Sequence, residues 1–327
     1  MLQIDYDIDD FMTYCEVKNL SKKTLASYEQ TLRLFAQYLK QEFKIEEAGQ
    51  VKEIHIREYM KYLQERGKYT VVANENTRKA NFPENRLDYQ KEISKTTVNN
   101  YIRNIKVFFN YMYENRYISN NPIRRVKQLK NARKVVGYIE DNDMNKLLKC
   151  FDLSKFHEYR DYVIAQLIFD TGMRIGETLL IKEKYIDFVR RTILLPADIT
   201  KGKKDRYVFF SAEMLKELKR WLQYKDRYKQ CEYVFCTTKG TPLKVSNYET
   251  NFKKYGKRIG KEEIHPHMLR NNFSKRFLMN GGDIYTLSKI LGHSSVTVTE
   301  EAYLDLQNED LRTKYQKYSP LLNLKRA

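Results

Sequence analysis

Residues 160–177 read Arg-Asp-Tyr-Val-Ile-Ala-Gln-Leu-Ile-Phe-Asp-Thr-Gly-Met-Arg-Ile-Gly-Glu. From Arg160 to Asp170 the stretch is apolar almost all round. That pattern marks a helix buried on every side rather than a surface helix with one greasy stripe. Arg174 follows at once, and a cation beside buried structure demands a partner. Glu177, three residues on, shares its helical face and supplies an ordinary ion pair. A bound phosphate would serve equally well.

Beyond this stretch the chain alternates. Strand-like runs cover Tyr185–Val189, Thr192–Leu195 and Tyr207–Phe210, and Tyr233–Cys236 adds a fourth. Helical spacing returns at Glu213–Tyr224, Asn247–Gly260, Met268–Asn280 and Ile284–Leu291, after a helix over Asp143–Cys150. The reading is a mainly helical α+β domain with a small antiparallel sheet.

Upstream the pattern is helical throughout. Leu25, Tyr28, Leu32, Phe35 and Leu39 form one stripe, and Val98, Tyr101, Ile105, Phe108 and Met112 form another. Each begins with a Ser/Thr-rich run at Ser21 or Ser94 that can cap the unpaired amides. A shorter helix covers about Ile54–Glu65 and stops at Gly67. Residues 68–93 show no period and contain Pro83, so they read as a surface insertion. From Asn120 to Val136 the chain holds Pro122, many basic residues and no acidic one, which reads as an extended linker. The expected division is an all-α domain over 1–133 and a mixed domain over 134–327, as length alone suggests.

Sixty Lys and Arg against 42 Asp and Glu give the 327-residue chain a formal net charge of +18. Such a surplus attracts a polyanion, either nucleic acid or an anionic surface. It is uneven: residues 1–67 carry −2, 68–134 carry +10, and 135–327 carry +10. Between Lys239 and Lys261 seven basic residues meet one Glu. Concentrated blocks favour a track for a polyanion over a merely solvated surface. No apolar run is long enough to cross a membrane, and the acidic N-terminus is no secretory signal. Cys15, Cys150, Cys231 and Cys236 are too scattered for a disulfide framework, so a reducing, cytoplasmic setting is expected.

Three further motifs carry chemistry. Lys201-Gly202 sits between two strands, where Gly202 fits a hairpin turn. His267 and Arg270 are three apart at a helix start led by Pro266, a place that suits an anion. His293 lies in Leu291-Gly292-His293, ten residues before Tyr303. With Arg174 these residues make an inventory for phosphoryl transfer without a metal. Two guanidiniums can clamp non-bridging oxygens, a Lys or His can protonate a leaving alkoxide, and a Tyr can form a covalent ester.

On these motifs the chain resembles the tyrosine recombinase (phage integrase) family. The resemblance implies a catalytic set of Arg174, Lys201, His267, Arg270, His293 and the nucleophile Tyr303, with Glu177 in support. Lys201 precedes Arg206 by five, as in the family's Lys-Gly-x-x-x-Arg turn. Asn271 stands where family members often have a second His. The implied reaction is cleavage and rejoining of duplex DNA through a 3′-phosphotyrosyl link. It would need no cofactor, metal or ATP, and would run in a homo-tetramer on two recombination sites. Integration or excision of a mobile element, with an accessory DNA-bending or directionality factor, is the expected role. Alternatives are a Xer-like dimer resolvase, a type IB topoisomerase-like nicking-closing enzyme, and an inert DNA-binding protein.

Asn99, Asn100, Arg103 and Lys106, on the polar face of the second striped helix, read either as DNA contacts or as a merely solvated face. The linker residues Arg124, Arg125, Lys127, Lys130, Arg133 and Lys134 suit phosphates, as do Lys253, Lys254, Lys257 and Arg258 on the later basic helix. For the C-terminal tail from Asp305 two readings stand side by side: docking on a neighbouring protomer, as the resemblance implies, and packing on its own domain.

Overall fold

The computed structural model describes residues 3–73, 78–79, 81–131, 137–293 and 295–303, with positions 312, 315, 316 and 321; at 298 and 301–303 only the backbone is described. The chain divides into two units, Met1–Arg133 and Lys134–Ala327. Arg133, Lys134 and the tail from Asp305, apart from positions 312, 315, 316 and 321, lie outside the described residues.

The first unit is built from α1 (Gln3–Val17), α2 (Lys22–Phe43), α3 (Glu53–Glu65) and α4 (Lys95–Glu114). Ser21 and Ser94 cap α2 and α4, accepting from the amides of Thr24 and Thr97 at 3.2 and 3.3 Å. Each cap satisfies a donor that the helix itself leaves unpaired. The α1 helix is an addition to the elements expected from the sequence. Its signal is Ile4, Ile8, Phe11 and Cys15, a helical stripe that is fully buried beneath the acidic outer face. Asp5 and Asp9 on that face pair with Arg33 of α2. Buried Asn104 ties α4 to α2 through Thr31 Oγ1 at 3.0 Å and the Ser27 carbonyl at 3.2 Å.

The insertion is pinned at its base. Gly67 and Glu92 form an antiparallel bridge. A Cβ at Gly67 would lie 2.6 Å from the Gln90 backbone, so only glycine permits the approach. The described part of the segment after α4, through residue 131, is no extended spacer. Ile123 and Val126 are buried in this unit's core, and the Asn99 amide grips the Leu129 backbone through both its oxygen and its nitrogen, at 2.8 and 2.9 Å. The basic residues alternate with those apolar anchors, so the segment lies along the unit rather than away from it.

The second unit surrounds α6 (Phe156–Thr171), with α5 (Asp141–Lys149) before it. As its composition requires, α6 is buried on all sides. Its polar residues have partners: Arg160 bonds Asp161 Oδ1 at 2.8 Å, and Asp161 Oδ2 accepts from Tyr255 and Asn251 at 3.0 Å. A short helix α7 (Ile175–Thr178) leads to three antiparallel strands, β1 (Ile186–Asp187), β2 (Thr192–Leu195) and β3 (Arg206–Phe209), in sequence order. Ile193 pairs with Val208 and Leu195 with Arg206, which sets the inward face. Residues 233–236 form only isolated bridges, although Val234, Phe235 and Cys236 are buried. Their amides pair with loops, as where Val234 bonds the Ile181 carbonyl, so burial without a ladder partner leaves no strand.

Three longer helices and two short ones follow: α8 (Ala212–Tyr228), α9 (Val245–Arg258), α10 (Pro266–Met279), α11 (Ile284–Leu291) and α12 (Val296–Tyr303). The α10 helix packs on α6. Asn271 and Asn272 of α10 bond the carbonyls of Gly137 and Ile139 at 2.7 and 2.6 Å, pinning the start of this unit. No described helix is long and apolar enough to cross a membrane.

Candidate active site

The α6 helix ends at Gly172, whose φ of +67° is left-handed. A Cβ there would lie 2.4 Å from Phe273 and 2.9 Å from Leu291, so both conformation and space require glycine. This turn swings Arg174 out of the core to the N-cap of α7. Glu177 accepts from the Arg174 amide at 3.1 Å and from its Nη1 at 3.1 Å.

Arg270 arrives from α10 and is almost wholly buried. It donates to the Gly172 carbonyl at 2.6 Å, the Leu291 carbonyl at 2.9 Å and Nε2 of His293 at 3.0 Å. Arg174 Nη1 reaches the same Leu291 carbonyl at 3.4 Å. Two guanidiniums therefore converge on the C-terminus of α11, where the carbonyl dipoles are negative and attract cations. Gly292, left-handed at φ 64°, ends α11 and presents His293.

His293 is held at both nitrogens, with Nδ1 2.7 Å from Thr299 Oγ1 on α12. Burial and the surrounding Arg270, Arg174, Arg206 and His267 push its pKa down to about 4, so the ring is neutral. His267 sits one turn before Arg270. The residue is exposed, but desolvation by the surrounding protein and the charges of Arg270, His265 and Arg174 lower its pKa. The buried Glu177 carboxylate goes the other way. Burial opposes its charge, yet bonds from Arg206 and the charges of Arg206 and Arg174 outweigh that and hold its pKa below the usual range.

The structure thus brings together Arg174, Glu177, His267, Arg270 and His293. Lys201 is exposed in the loop between β2 and β3, and no hydrogen bond among the described residues joins it to this cluster. The turn there is broader than a hairpin, and its left-handed residue is Lys203 (φ 49°), not Gly202. Thr200 organises the loop instead, donating to the Lys204 carbonyl at 2.9 Å. Position 303 ends α12, one turn beyond Thr299; the Tyr303 side chain lies outside the described atoms.

Two further residues belong to the site: Thr299, which a reading of the sequence alone misses, and Arg206, which the sequence marks only as a motif position. Thr299 stands four before Tyr303, a helical spacing that could have flagged it. Arg206 occupies the inward face of β3 and bonds Glu177 at 3.0 and 2.6 Å. Its signal is strand alternation with Val208 and Phe210.

The basic residues sort by partner. Asn100, Arg103 and Lys106 are exposed on α4, with Arg103 bonding Asn100 at 3.0 Å. Arg124, Arg125, Lys127 and Lys130 are exposed, as are Lys253, Lys254 and Lys257 on α9. Asn99 is committed to Leu129, and Arg258 grips buried Glu158 at 2.6 and 2.9 Å. Both side chains are thereby tied into the fold by hydrogen bonds.

A profile of the phage integrase family matches residues 138–310, and one of the phage integrase N-terminal SAM-like domain matches residues 8–81. The chain belongs to the phage integrase family, and it is a tyrosine recombinase. Tyrosine recombinase XerC of Oceanobacillus iheyensis is 25% identical over 331 residues, 99% of this chain and 99% of that protein. XerC of Pediococcus pentosaceus is 28% identical over 242 residues, 71% of this chain and 78% of that protein. Among solved structures, the Tn1549 transposon integrase in complex with a circular intermediate DNA aligns with a TM-score of 0.71 at 16% identity, covering 97% of this chain and 100% of that one. The XerH recombinase bound to palindromic difH substrate aligns with a TM-score of 0.68 at 21% identity, covering 92% and 82%. These likenesses establish the same fold.

Proposed function

We propose that the chain cuts and rejoins duplex DNA at specific sites, with Tyr303 as nucleophile. The observation that carries this reading is the convergence of Arg174 and Arg270 beside a neutral His293, whose other nitrogen is tied to the helix that ends at position 303. A scissile phosphate placed there would meet two guanidiniums on its non-bridging oxygens. Those donors act most strongly as negative charge grows in the transition state.

The step balances without an outside reagent. The Tyr303 oxygen bonds phosphorus, and the bond to the 5′ oxygen breaks. His267 receives the phenolic proton; Lys201 gives one to the departing oxygen. The phosphotyrosyl ester retains the energy of the phosphodiester. A 5′-hydroxyl from a second duplex then reverses the step, so neither ATP nor a metal is needed. Exchange of both strands requires four copies on two sites.

Exposed Arg103, Lys106, Arg124, Arg125, Lys127 and Lys130 supply phosphate contacts in the first unit, and Lys253, Lys254 and Lys257 in the second. Between the two biological roles, dimer resolution of the Xer type is favoured, because the XerC match runs along the whole chain. Integration of a mobile element rests on the family likeness alone. Either role places the protein with cytoplasmic DNA.

The test is recombination between two copies of the target site on one plasmid, in buffer with chelator and no ATP. The expected product is two circles. Resolution that appears only when a divalent metal is restored would contradict the mechanism.

A further inference from the structure

We infer that Arg206 is a positioning residue: it holds the Glu177 carboxylate that aims Arg174, and it ties the loop carrying Lys201 to the phosphate-binding arginines. The inference deepens the proposed function and rests on it.

On β3, Tyr207 and Phe209 face outward and are more than half exposed, while Val208 is fully buried. Arg206 shares the inward face, where an unpaired cation would be costly. Its guanidinium meets Glu177 in a two-pronged bond, Nη1 to Oε1 at 3.0 Å and Nη2 to Oε2 at 2.6 Å. The same two oxygens accept from Arg174, one from its side chain and one from its amide. A single buried carboxylate therefore serves four donors, two from each arginine. Without Arg206, the carboxylate could rotate and Arg174 would lose its fixed aim.

Two more features extend the role. The Arg206 stem lies against Gly292, where a Cβ would sit 2.9 Å from Cδ and 3.0 Å from Nε. Arg206 thus backs the turn that presents His293. Among the described residues its buried Nε has no acceptor, and such a cost is usually borne where geometry matters to function. Arg206 also closes the loop over residues 196–205. The neighbouring Asp205 accepts from the Ala197 amide at 2.7 Å, drawing the loop's base together. Lys201 rides on that loop. A lysine at 206 would keep the charge but not the planar two-pronged grip.

The experiment is single-turnover cleavage of a nicked suicide duplex at saturating DNA, with Arg206→Lys, Arg206→Gln, Glu177→Gln and the double variant Arg206→Gln/Glu177→Gln. The Arg206→Gln variant should cleave about tenfold or more slowly while binding DNA as tightly as wild type, since small misplacements of catalytic groups cost that much. Arg206→Lys should fall between the two and keep the fold. The double variant should be scarcely slower than its worse parent, because both changes disable one relay. Cleavage within about twofold of wild type in Arg206→Gln, or fully multiplicative losses in the double variant, would overturn the inference. Loss of DNA binding and melting temperature in step with cleavage would also overturn it, reducing Arg206 to a structural brace. Failure of the wild-type chain to cleave would instead strike the functional reading itself.

Discussion

Arg270 and His293 share a hydrogen bond of 3.0 Å whose roles are fixed by chemistry. A guanidinium can only donate, so Nε2 of His293 accepts. The neutral ring then carries its proton on Nδ1, which donates to Thr299 Oγ1 at 2.7 Å. One arginine thereby sets the tautomer of the histidine and anchors α12.

The depressed His293 pKa has a signed consequence. Its folded value is about 4 against an ordinary 6.5, so below 6.5 the unfolded chain binds more protons. Stability should fall as pH drops from 6.5 toward about 4, and this group should add no further loss below that. Thermal unfolding of wild type and His293→Asn across that window checks it. The variant should show the shallower acid limb; equal slopes would contradict the assignment.

Glu177 is buried between two arginines, and removing it takes the carboxylate partner from both. Glu177→Ala should cost about 3 kcal/mol in urea unfolding, the usual penalty for breaking a buried pair. Because its pKa is held below the ordinary 4.5, this contribution is present above pH 4.5 and lost as the pH falls through the lowered value. The gap between wild type and variant should therefore close in acid. A gap that stays constant would point to packing alone.

Gly172 joins the left-handed turn to the Arg270 anchor. Gly172→Ala forces a Cβ against Phe273 and Leu291 at a positive φ. A loss of about 2 kcal/mol or more is expected, together with slower DNA cleavage, because the Arg270 acceptor moves. Calorimetry with a cleavage assay reads both. Unchanged stability would show that the turn adapts.

The basic residues of α9 should separate cleanly. Replacing Lys253, Lys254 and Lys257 with Ala should leave unfolding untouched and flatten the plot of log K against log[salt], by about 0.9 for each phosphate that is no longer neutralised. Arg258→Ala should do the reverse. It leaves buried Glu158 unpaired, whose pKa Arg258 holds near 2, and so lowers the melting temperature. For the whole chain the slope should be steeper than about −4, as binding across many phosphates requires.

Much of this is legible in the sequence for identifiable reasons. Ser21 and Ser94 announce two helix starts, because capping is a local matter of one hydroxyl and one amide. The all-apolar run over 160–170 announces a buried helix, and Arg174 beyond it announces the site. Tertiary pairing is not legible. Residues 233–236 look like a strand, but their amides bond loops. Gly202 looks like the turn residue, but Thr200 shapes that loop. Asn99 and Arg258 look like surface donors until Leu129 and Glu158 are found beside them. Arg206 is visible as a motif position, yet its partner Glu177 lies 29 residues earlier, and only the fold joins them.

In the proposed mechanism Tyr303 takes the phosphate. The most direct measurement is covalent capture of labelled DNA from a nicked suicide substrate, with wild type and Tyr303→Phe compared on denaturing gels. Wild type should carry DNA on the peptide containing Tyr303 and release a free 5′-hydroxyl, while the variant binds the DNA and carries none. Covalent complex persisting in Tyr303→Phe would contradict the account.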